Sequence, residues 1–263
     1  QPRQAEKDAQ KDDRITETAV HKTLDKIGGK GLFLKELDAA LLAGQVDICV
    51  NSLKDVPVTE NPALPIGAYS VRELPADVLV FPKGTSHWNP ALPVGCASAR
   101  RKMQFQQLYP EAVIQPVRGN VLTRLEKLDS GEYGALILAE AGLKRLGLSD
   151  RIAYRFSPEE LVPAAGQGIL AIQTRAGEYA DLLARLNSPD GALCAKTERQ
   201  LASLLGGDCS APVGCHAQLH GTDMTLYGFS GIGGVPRYGS VQGNRNDADL
   251  LVQQLASKLT ITE

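Results

Sequence analysis

A lysine and an aspartate stand next to each other in the segment NSLKDVP, directly after a short apolar stretch. Ligand sites in open α/β sheets lie at the carboxyl ends of strands, so Lys54 and Asp55 would emerge together beside a bound molecule. Asp55 would then be one working carboxylate with a cation at its side. The alternative is a surface turn without a chemical role that ends at Pro57.

Basic residues recur at three further places where a strand is expected to pass into a helix. They are Arg100 and Arg101, then Arg118 and Arg124 around Gly119 and Asn120, and then Lys144 and Arg145. Arginine suits carboxylates because its planar guanidinium group donates two parallel hydrogen bonds. The alternative for each segment by itself is a helix whose basic side chains point into solvent. Together with Lys54, the four segments predict one cleft that binds a carboxylate-rich molecule around Asp55.

Other classes of function are less well supported by the sequence. Phosphate would also suit the arginines, but the chain has no GxxxxGKS-type loop and no GxGxxG after a strand, which nucleotide binding usually needs. A net charge of −2 argues against a nucleic-acid binder. No apolar stretch reaches the roughly 20 residues that span a bilayer. Five scattered cysteines and a polar N-terminal segment without a signal core predict a reducing, cytoplasmic location.

The glycine-rich loop GGDCSAPVG contains Cys209, and the residues alone leave two interpretations of its thiol open. One is a small thiol without a role, which is the commoner state of a free cysteine. The other is a metal site formed with Cys215, His216 and His220. The spacing C-x5-C-H-x3-H matches none of the usual structural zinc patterns, so we expect no metal here.

The elements that must position these residues follow one another in a regular order. Apolar residues at helical spacing predict a helix over Leu32–Gly44 that ends at its glycine. Lys30 stands at the start of this helix, where backbone N–H groups favour an anion. A strand is predicted over QVDICV. From Val78 onward strands alternate with helices, one of which Ser98 can cap, and this alternation predicts parallel sheets with crossover connections.

The region from Cys215 onward has a different pattern. It predicts short antiparallel strands in MTLYGFSGIGG and RYGSVQG, and a final amphipathic helix in DADLLVQQLASKL. A chain of 263 residues has room for two or three modest domains. The predicted fold class is therefore α/β, with two α/β units followed by a small α+β unit at the C-terminus.

Taken together, the motifs resemble the porphobilinogen deaminase (hydroxymethylbilane synthase) family. In the family's order and near its spacing stand IGGKGLFLKEL, NSLKDVP, ASARRKMQ, VRGNVLTRLEKLDSGEYGALILAEAGLKRLGL, PAAGQG and GGDCSAPVG. The resemblance implies a transferase of tetrapyrrole (haem) biosynthesis. Such an enzyme condenses four porphobilinogen units, with loss of ammonia, onto a covalently bound dipyrromethane primer and releases hydroxymethylbilane.

The resemblance also implies three domains. The first two would be α/β lobes like those of type II periplasmic binding proteins, with the active site between them. The expected bounds are residues 1–70 with 168–187 for domain 1, 71–167 for domain 2, and 188–263 for domain 3, which would carry the cofactor cysteine. A solute-binding protein of the same two-lobed architecture is an alternative, although the Cys209 loop speaks against it.

Residue by residue, the resemblance makes Asp55 the catalytic carboxylate and Cys209 the thioether attachment point of the dipyrromethane cofactor. A carboxylate beside the pyrrole N–H groups would stabilise the cationic azafulvene that loss of ammonia creates, and would assist proton transfers. The implied cofactor contacts are Lys30, Ser52, Lys54, Ser98, Arg100, Arg101, Gly119 and Asn120, and the implied substrate contacts are Lys26, Arg118, Arg124 and Arg145. The expected partners are porphobilinogen and the growing oligopyrrole chain, bound by a monomer without nucleic acid, membrane or metal.

Departures from the family pattern support a second hypothesis. The family's N-terminal strand and its R-x-S-x-L-A motif have no counterpart in QPRQAEKDAQ. We expect sequence to be missing at this end, and a degenerate paralogue that lacks the strand is the alternative. Asn51 stands where the family has a histidine, and Cys96 with Ala97 stands in place of a Thr-Ser pair. Two hydroxyl donors to the cofactor would thereby be lost or weakened. The second hypothesis is a catalytically impaired or non-catalytic paralogue that retains the anion-binding cleft.

Overall fold

The computed structural model describes residues 30–207 and 211–260, with the backbone alone for residues 30–33. The chain divides into two compact units, residues 1–46 and residues 47–263. Within the described ranges, none of the helices is long and apolar enough to cross a membrane.

The described part of the first unit is helix α1, Lys30–Leu42. Its end is fixed by Gly44, whose φ of 68° is a left-handed conformation that glycine adopts without steric strain. The N–H of Gly44 donates to the carbonyl of Leu41 at 3.1 Å, and the N–H of Gln45 donates to that of Ala40 at 2.9 Å. These bonds satisfy carbonyls that the helix leaves open, so the predicted helix and its glycine stop are confirmed.

The second unit contains three sheets and six helices in its described residues. In chain order they are β1 (Cys49–Ser52), β2 (Ile66–Tyr69), β3 (Asp77–Val80), β4 (Val94–Gly95), α2 (Ala99–Leu108), β5 (Ile114–Gln115), α3 (Val121–Asp129), β6 (Ala135–Ala139), α4 (Glu140–Arg145), β7 (Ile152–Arg155), β8 (Leu170–Gln173), α5 (Ala180–Leu186), α6 (Pro189–Leu204), β9 (Val213–His220), β10 (Asp223–Ser230), β11 (Arg237–Asn244) and α7 (Ala248–Leu259). The α/β class is confirmed. The sequence pattern had not predicted β2, β7, β9 or α5.

The first sheet has the order β1-β8-β2, and the central strand β8 pairs antiparallel with both neighbours. The prediction of parallel sheets is therefore wrong for this sheet. The reason is that β8 is not joined to β1 or β2 by a single helical crossover. All five strands of the second sheet lie between β2 and β8 in the chain. The strand predicted over QVDICV is present but begins later, at Cys49.

The second sheet has the order β5-β4-β6-β3-β7. Strand β4 is parallel to β5 and to β6, as predicted, because α2 and α3 provide the crossovers that parallel neighbours require. Strand β3 is antiparallel to β6 and β7, which corrects the prediction of an all-parallel sheet. Residues 81–93 lead from β3 to β4 without a helix, so the crossover pattern does not extend to β3.

The second sheet is buried on both faces, because successive residues of β6 alternate between two apolar clusters. Leu136 and Leu138 lie in one cluster, with Leu128 of α3. Ile137 lies in the other, with Phe105 of α2. The two helices whose N-termini carry the predicted site residues are thus placed on opposite faces of one sheet.

Two segments connect the first and second sheets. The first crossover segment, residues 70–76, leads from β2 to β3, and the second crossover segment, residues 156–169, leads from β7 back to β8. They lie side by side, since the N–H of Glu73 donates to the carbonyl of Gly168 at 2.9 Å. Gly168 has a φ of 88°, and a Cβ there would lie 2.3 Å from the carbonyl oxygen of Glu73. A glycine is therefore required where the two segments touch.

The third sheet has the order β11-β10-β9 and is antiparallel throughout, which confirms the predicted C-terminal α+β unit. Helix α7 packs closely on it. A Cβ added at Gly228 of β10 would lie 2.5 Å from a methyl carbon of Leu259, so the small residue permits the close approach.

Candidate active site

Asp55 lies in a single tight helical turn, Leu53–Asp55, that follows β1 directly. Leu53 fixes this turn, because its side chain is buried and its N–H donates to the carbonyl of Ile169 at 3.0 Å. Gly166 permits the close packing, since it has a φ of 73° and a Cβ there would lie 2.5 Å from Cγ of Leu53. Lys54 and Asp55 are therefore half-buried at a fixed place just beyond the end of a strand.

Arg100 and Arg101, the second of the four basic segments, point into the protein interior. Ser98 caps α2, as predicted, by accepting a hydrogen bond from the N–H of Arg101 at 3.4 Å. Arg100 and Arg101 are 4% and 9% exposed, so the alternative in which both point into solvent is wrong. Both form ion pairs with Asp77, a carboxylate at the start of β3 that was not among the predicted site residues. The available signal was an acidic residue at the head of an apolar strand.

Asp77 is fully buried and faces both guanidinium groups. Its Oδ2 accepts a hydrogen bond from Nη1 of Arg100 at 2.7 Å, and its Oδ1 accepts one from Nε of Arg101 at 2.9 Å. Burial by itself would raise the pKa of Asp77. The two positive charges outweigh burial and hold this pKa well below its usual range, so Asp77 is ionised at neutral pH.

Gln167 connects this cluster to the turn that carries Asp55. Its side chain is 1% exposed, and its Nε2 donates to Oδ1 of Asp77 at 2.9 Å and to the carbonyl of Pro75 at 2.6 Å. Its Oε1 accepts a hydrogen bond from Nζ of Lys54 at 3.3 Å. Gln167 belongs to the PAAGQG motif, but the motif by itself had not predicted a role for this residue.

Gly119 and Asn120 determine the backbone conformation of the third basic segment, which contains Arg118 and Arg124. Asn120 caps α3, as predicted, since its Oδ1 accepts a hydrogen bond from the N–H of Thr123 at 2.9 Å. Gly119 has a φ of 108°, and a Cβ there would lie 2.8 Å from Cγ2 of Thr123. The carbonyl of Gly119 accepts a hydrogen bond from Nε of Arg124 at 2.8 Å, which orients this arginine on the first turn of the helix.

Arg124, Arg101 and Asp55 share one electrostatic environment although they come from three different elements. The pKa of Arg124 is lowered, first by burial and then by the positive charge of Arg101. The charge of Asp55 acts in the opposite direction on Arg124, and it also helps to raise the pKa of Arg101, for which Asp77 is the main partner. Two cations that repel each other beside a carboxylate form a place where a further anion would be stabilised.

The remaining predicted contacts are more exposed. Ser52 ends β1 and is half-buried, while Arg118 and Arg145 are exposed. Lys144 forms a surface ion pair with Glu73 at 2.8 Å. The pKa of Glu73 is lowered mainly by its hydrogen bond to Lys144, and the charge of Arg145 adds to this effect. The fourth basic segment therefore lies close to the first crossover segment.

Three predicted site residues cannot be placed in the same way. Lys26 and Cys209 lie outside the described residues. Lys30 is described only as the first residue of α1. Their roles remain predictions.

The positions at which the chain departs from the family pattern have partners of their own. Asn51 is buried, and its Nδ2 donates to Oε1 of Gln173 at 2.9 Å across the first sheet. Cys96 is buried beside the start of α2, and its thiol lies 3.7 Å from the carbonyl oxygen of Ser98. Burial raises the pKa of the Cys96 thiol. Ala97 is exposed.

A cavity of about 610 Å³ borders the first crossover segment. It is lined by the first crossover segment together with residues such as Phe156, Cys194 and His216. Among the predicted site residues whose side chains the structure describes, none lines this cavity, so its size gives no reason to move the candidate active site.

Comparisons with known proteins identify the family to which this chain is related. The family model "Porphobilinogen deaminase, dipyromethane cofactor binding domain" matches residues 7–181, and the model of the C-terminal domain of the same family matches residues 192–260. The porphobilinogen deaminase of Acetivibrio thermocellus is 48% identical over 245 residues, which cover 91% of this chain and 82% of that protein. The porphobilinogen deaminase of Chromobacterium violaceum is 46% identical over 246 residues, which cover 91% of this chain and 80% of that protein.

Among solved structures, the periplasmic VFT2 domain of BvgS from Bordetella pertussis matches at 20% identity with a TM-score of 0.36, covering 59% of this chain and 65% of that chain. We draw no conclusion from so low a score. The family models, in contrast, span most of the chain, and the two relatives match nearly all of it. The chain therefore belongs to the porphobilinogen deaminase family.

Proposed function

We propose that this chain is a transferase that condenses four porphobilinogen units, with loss of ammonia, onto a covalently bound dipyrromethane primer and releases hydroxymethylbilane. The observation that carries the proposal is the common environment of Asp55, Arg101 and Arg124. Substrate, primer and product of this reaction all carry carboxylate side chains. A carboxylate among repelling cations is suited to binding such molecules and to stabilising positive charge at the same time.

The family's cofactor is dipyrromethane, and the donor set fits it. When bound, this group supplies the primer to which the pyrrole units are added. We propose that Cys209 attaches it through a thioether and that Lys54, Ser98 and Arg101 hold its acetate and propionate groups. Support comes from Arg101, whose buried guanidinium group shares the single carboxylate of Asp77 with Arg100 and so leaves positive charge for a further anion.

Asp55 is proposed to act on the substrate. Departure of ammonia from porphobilinogen leaves a cation, and a carboxylate fixed next to the pyrrole nitrogen lowers the energy of that charge. The same carboxylate can carry a proton during carbon–carbon bond formation. The packing of Leu53 against Gly166 holds the turn in place and so spares Asp55 the entropic cost of ordering during each cycle.

The substrate's own carboxylates are proposed to be bound by Arg124, together with Lys26, Arg118 and Arg145. Arg124 is the best supported of these, because burial and the charge of Arg101 both favour the arrival of an anion beside it. Lys30, Gly119 and Asn120 are proposed as further cofactor contacts. Asn120 and Gly119 also shape the first turn of α3 on which Arg124 stands.

We also propose three domains, with residues 1–70 and 168–187 in the first, 71–167 in the second and 188–263 in the third. The strands of the three sheets fall separately into these ranges, and the two crossover segments run along the boundary between the first two. A monomer that works in the cytoplasm completes the proposal. Sedimentation equilibrium of the purified chain would test its oligomeric state.

The decisive experiment combines mass spectrometry with turnover. After expression in cells that make porphobilinogen, the intact wild-type chain should carry a dipyrromethane adduct, and Cys209→Ser should lack it. The wild type should consume porphobilinogen and release hydroxymethylbilane, and Asp55→Ala should not. The matched control is Asp223→Ala, which removes an exposed aspartate in the third sheet and should leave adduct and turnover unchanged. A wild-type chain without adduct and without turnover would contradict the proposal and favour a non-catalytic relative.

A further inference from the structure

We propose that Asp77 is a positioning residue, which fixes Arg101 in the orientation that binds a carboxylate of the cofactor or substrate. The proposal rests on the proposed function. Asp77 is 0% exposed, and its side chain bonds to Arg100, Arg101 and Gln167, which belong to the cluster beside the Asp55 turn.

The carboxylate of Asp77 is itself firmly anchored. Its residue begins β3, an inner strand of the five-stranded sheet, and lies opposite Ala139 of β6. Its carbonyl accepts a hydrogen bond from the N–H of Phe156 at 3.0 Å. A long arginine side chain loses conformational freedom when it is ordered, so an acceptor fixed by the sheet can hold Arg101 before any ligand arrives.

The contacts of Arg101 define the direction of its guanidinium group. Nε donates to Asp77 at 2.9 Å, and Nη2 lies 2.7 Å from the same oxygen. Nη1 donates to the carbonyl of Ile137 at 3.3 Å. Acceptors on two sides of a planar group fix its plane, and a fixed plane is what paired hydrogen bonds to a carboxylate require.

Asp77 also separates the roles of two neighbouring arginines. Arg100 donates through one nitrogen to Oδ2 of Asp77 and to the carbonyl of Val162, which ties α2 to the second crossover segment. Arg101 donates to Oδ1 of Asp77, the oxygen that also accepts a hydrogen bond from Gln167. Gln167 in turn accepts a hydrogen bond from Lys54. We therefore assign Arg100 an internal anchoring role and Arg101 the anion-binding role.

Charge gives a reason for the arrangement. Two buried cations, Arg100 and Arg101, share the one carboxylate of Asp77. Arg124 and Asp55 also interact electrostatically with Arg101. Asp77 lowers the energy of the buried arginines but leaves net positive charge. A carboxylate ligand completes the balance, whereas an uncompensated buried cation is strongly unfavourable.

The test begins with Asp77→Asn, which keeps the shape and removes the charge. We expect the KM for porphobilinogen to rise roughly 10- to 100-fold and the dipyrromethane occupancy, read by intact mass, to fall, because a hydrogen bond to a charged group contributes that much to binding. This substitution also leaves two buried arginines uncompensated, so it will lower the Tm.

A compensated variant separates positioning from stability. Asp77→Asn/Arg100→Met removes the negative charge together with the anchoring cation, and Val162 keeps a hydrogen bond from Gln104 at 3.1 Å. If Asp77 positions Arg101, this variant regains Tm relative to Asp77→Asn while its KM stays raised and its occupancy stays low. If Asp77 only offsets the charge of Arg100, the KM and the occupancy return to wild-type values with the Tm, which would overturn the proposal.

A double-mutant cycle covers the case in which the compensated variant does not regain Tm. Arg101→Lys alone should raise the KM, and adding Asp77→Asn to it should raise the KM little further, because both act through one contact. Fold-increases that multiply would overturn the proposal. If the wild type turns over porphobilinogen and folded Asp77 variants have an unchanged KM, only the positioning role of Asp77 is contradicted. If the wild type carries no adduct and has no turnover, the proposed function itself is contradicted.

Discussion

Arg72 and Glu198 form a bidentate ion pair, in which each Nη atom of the guanidinium group lies 2.6 Å from a different carboxylate oxygen. Glu198 is fully buried on α6 and also accepts the backbone N–H groups of Gly166 and Ala217, each at 2.7 Å. Arg72 belongs to the first crossover segment, Gly166 to the second, and Ala217 to β9. One carboxylate thus joins the C-terminal part of the chain to both connections between the first two sheets.

Replacing this carboxylate by an amide should destabilise the protein strongly. In Glu198→Gln the largely buried guanidinium group of Arg72 loses its counter-charge, and we expect the free energy of unfolding to fall by about 3–5 kcal/mol. Urea unfolding followed by circular dichroism measures the change. Glu132→Gln, at an exposed position between α3 and β6, is the control and should change stability by less than about 0.5 kcal/mol. Equal effects of the two substitutions would contradict the assigned role.

The same ion pair predicts how stability depends on pH. Burial alone would raise the pKa of Glu198, but Arg72 and His216 lower it from 4.5 to about 2. A carboxylate whose pKa is lower in the folded state stabilises the protein above its unfolded pKa, and this contribution is lost as the pH falls through the folded pKa. We therefore expect on the order of 3 kcal/mol of Glu198-dependent stability to disappear between about pH 4.5 and pH 2. Between these pH values, the free energy of unfolding should change less with pH for Glu198→Gln than for the wild type.

Gly166 should be intolerant of a side chain because two effects act there together. Its φ of 73° is strained for any residue with a Cβ, and that Cβ would lie 2.5 Å from Leu53 in the turn that carries Asp55. We expect Gly166→Ala to lower the free energy of unfolding by about 3 kcal/mol and to reduce kcat. Gly221→Ala is the matched control, since Gly221 has a φ of 62° with nothing within 4 Å of an added Cβ.

The control should lose only about 1 kcal/mol and keep its kcat, because it lacks the contact with Leu53. A Gly166→Ala variant that matches Gly221→Ala in both measurements would show that the packing of Leu53 against Gly166 does not fix the Asp55 turn.

Arg124 should contribute more to binding than to stability. Burial and the charge of Arg101 make its positive charge unfavourable in the unliganded protein, so Arg124→Gln should leave the Tm unchanged or slightly higher. The KM for porphobilinogen should rise roughly 10-fold or more, because a charged contact to the ligand is lost. Steady-state kinetics at two ionic strengths, with the exposed Arg185→Gln as control, check this expectation. A loss of Tm without a change in KM would contradict it.

Local signals in the sequence predicted the described helices except α5. Ser98 and Asn120 cap α2 and α3, and Gly44 ends α1, because a cap acts on backbone groups only a few residues away. The ordered motifs identified the family for the same reason, since each motif is a local pattern. Asp55 was singled out because it follows a strand directly, which is also a local relationship.

Strand direction and the short strands were predicted less well. The first sheet is antiparallel and β3 reverses the expected direction, because pairing depends on which distant strand arrives as a neighbour. Strands β2 and β7 have four residues each, too few for a clear alternating pattern.

The amino-acid sequence by itself determined the family, the α/β class, the helix ends and the position of Asp55 after a strand. Only the tertiary structure decided which charges meet. Asp77 and Gln167 are 90 residues apart in sequence, and Arg72 and Glu198 are 126 apart. These pairs form because the sheet order and the two crossover segments bring distant backbone together, and a buried charge is tolerated only where such a partner arrives.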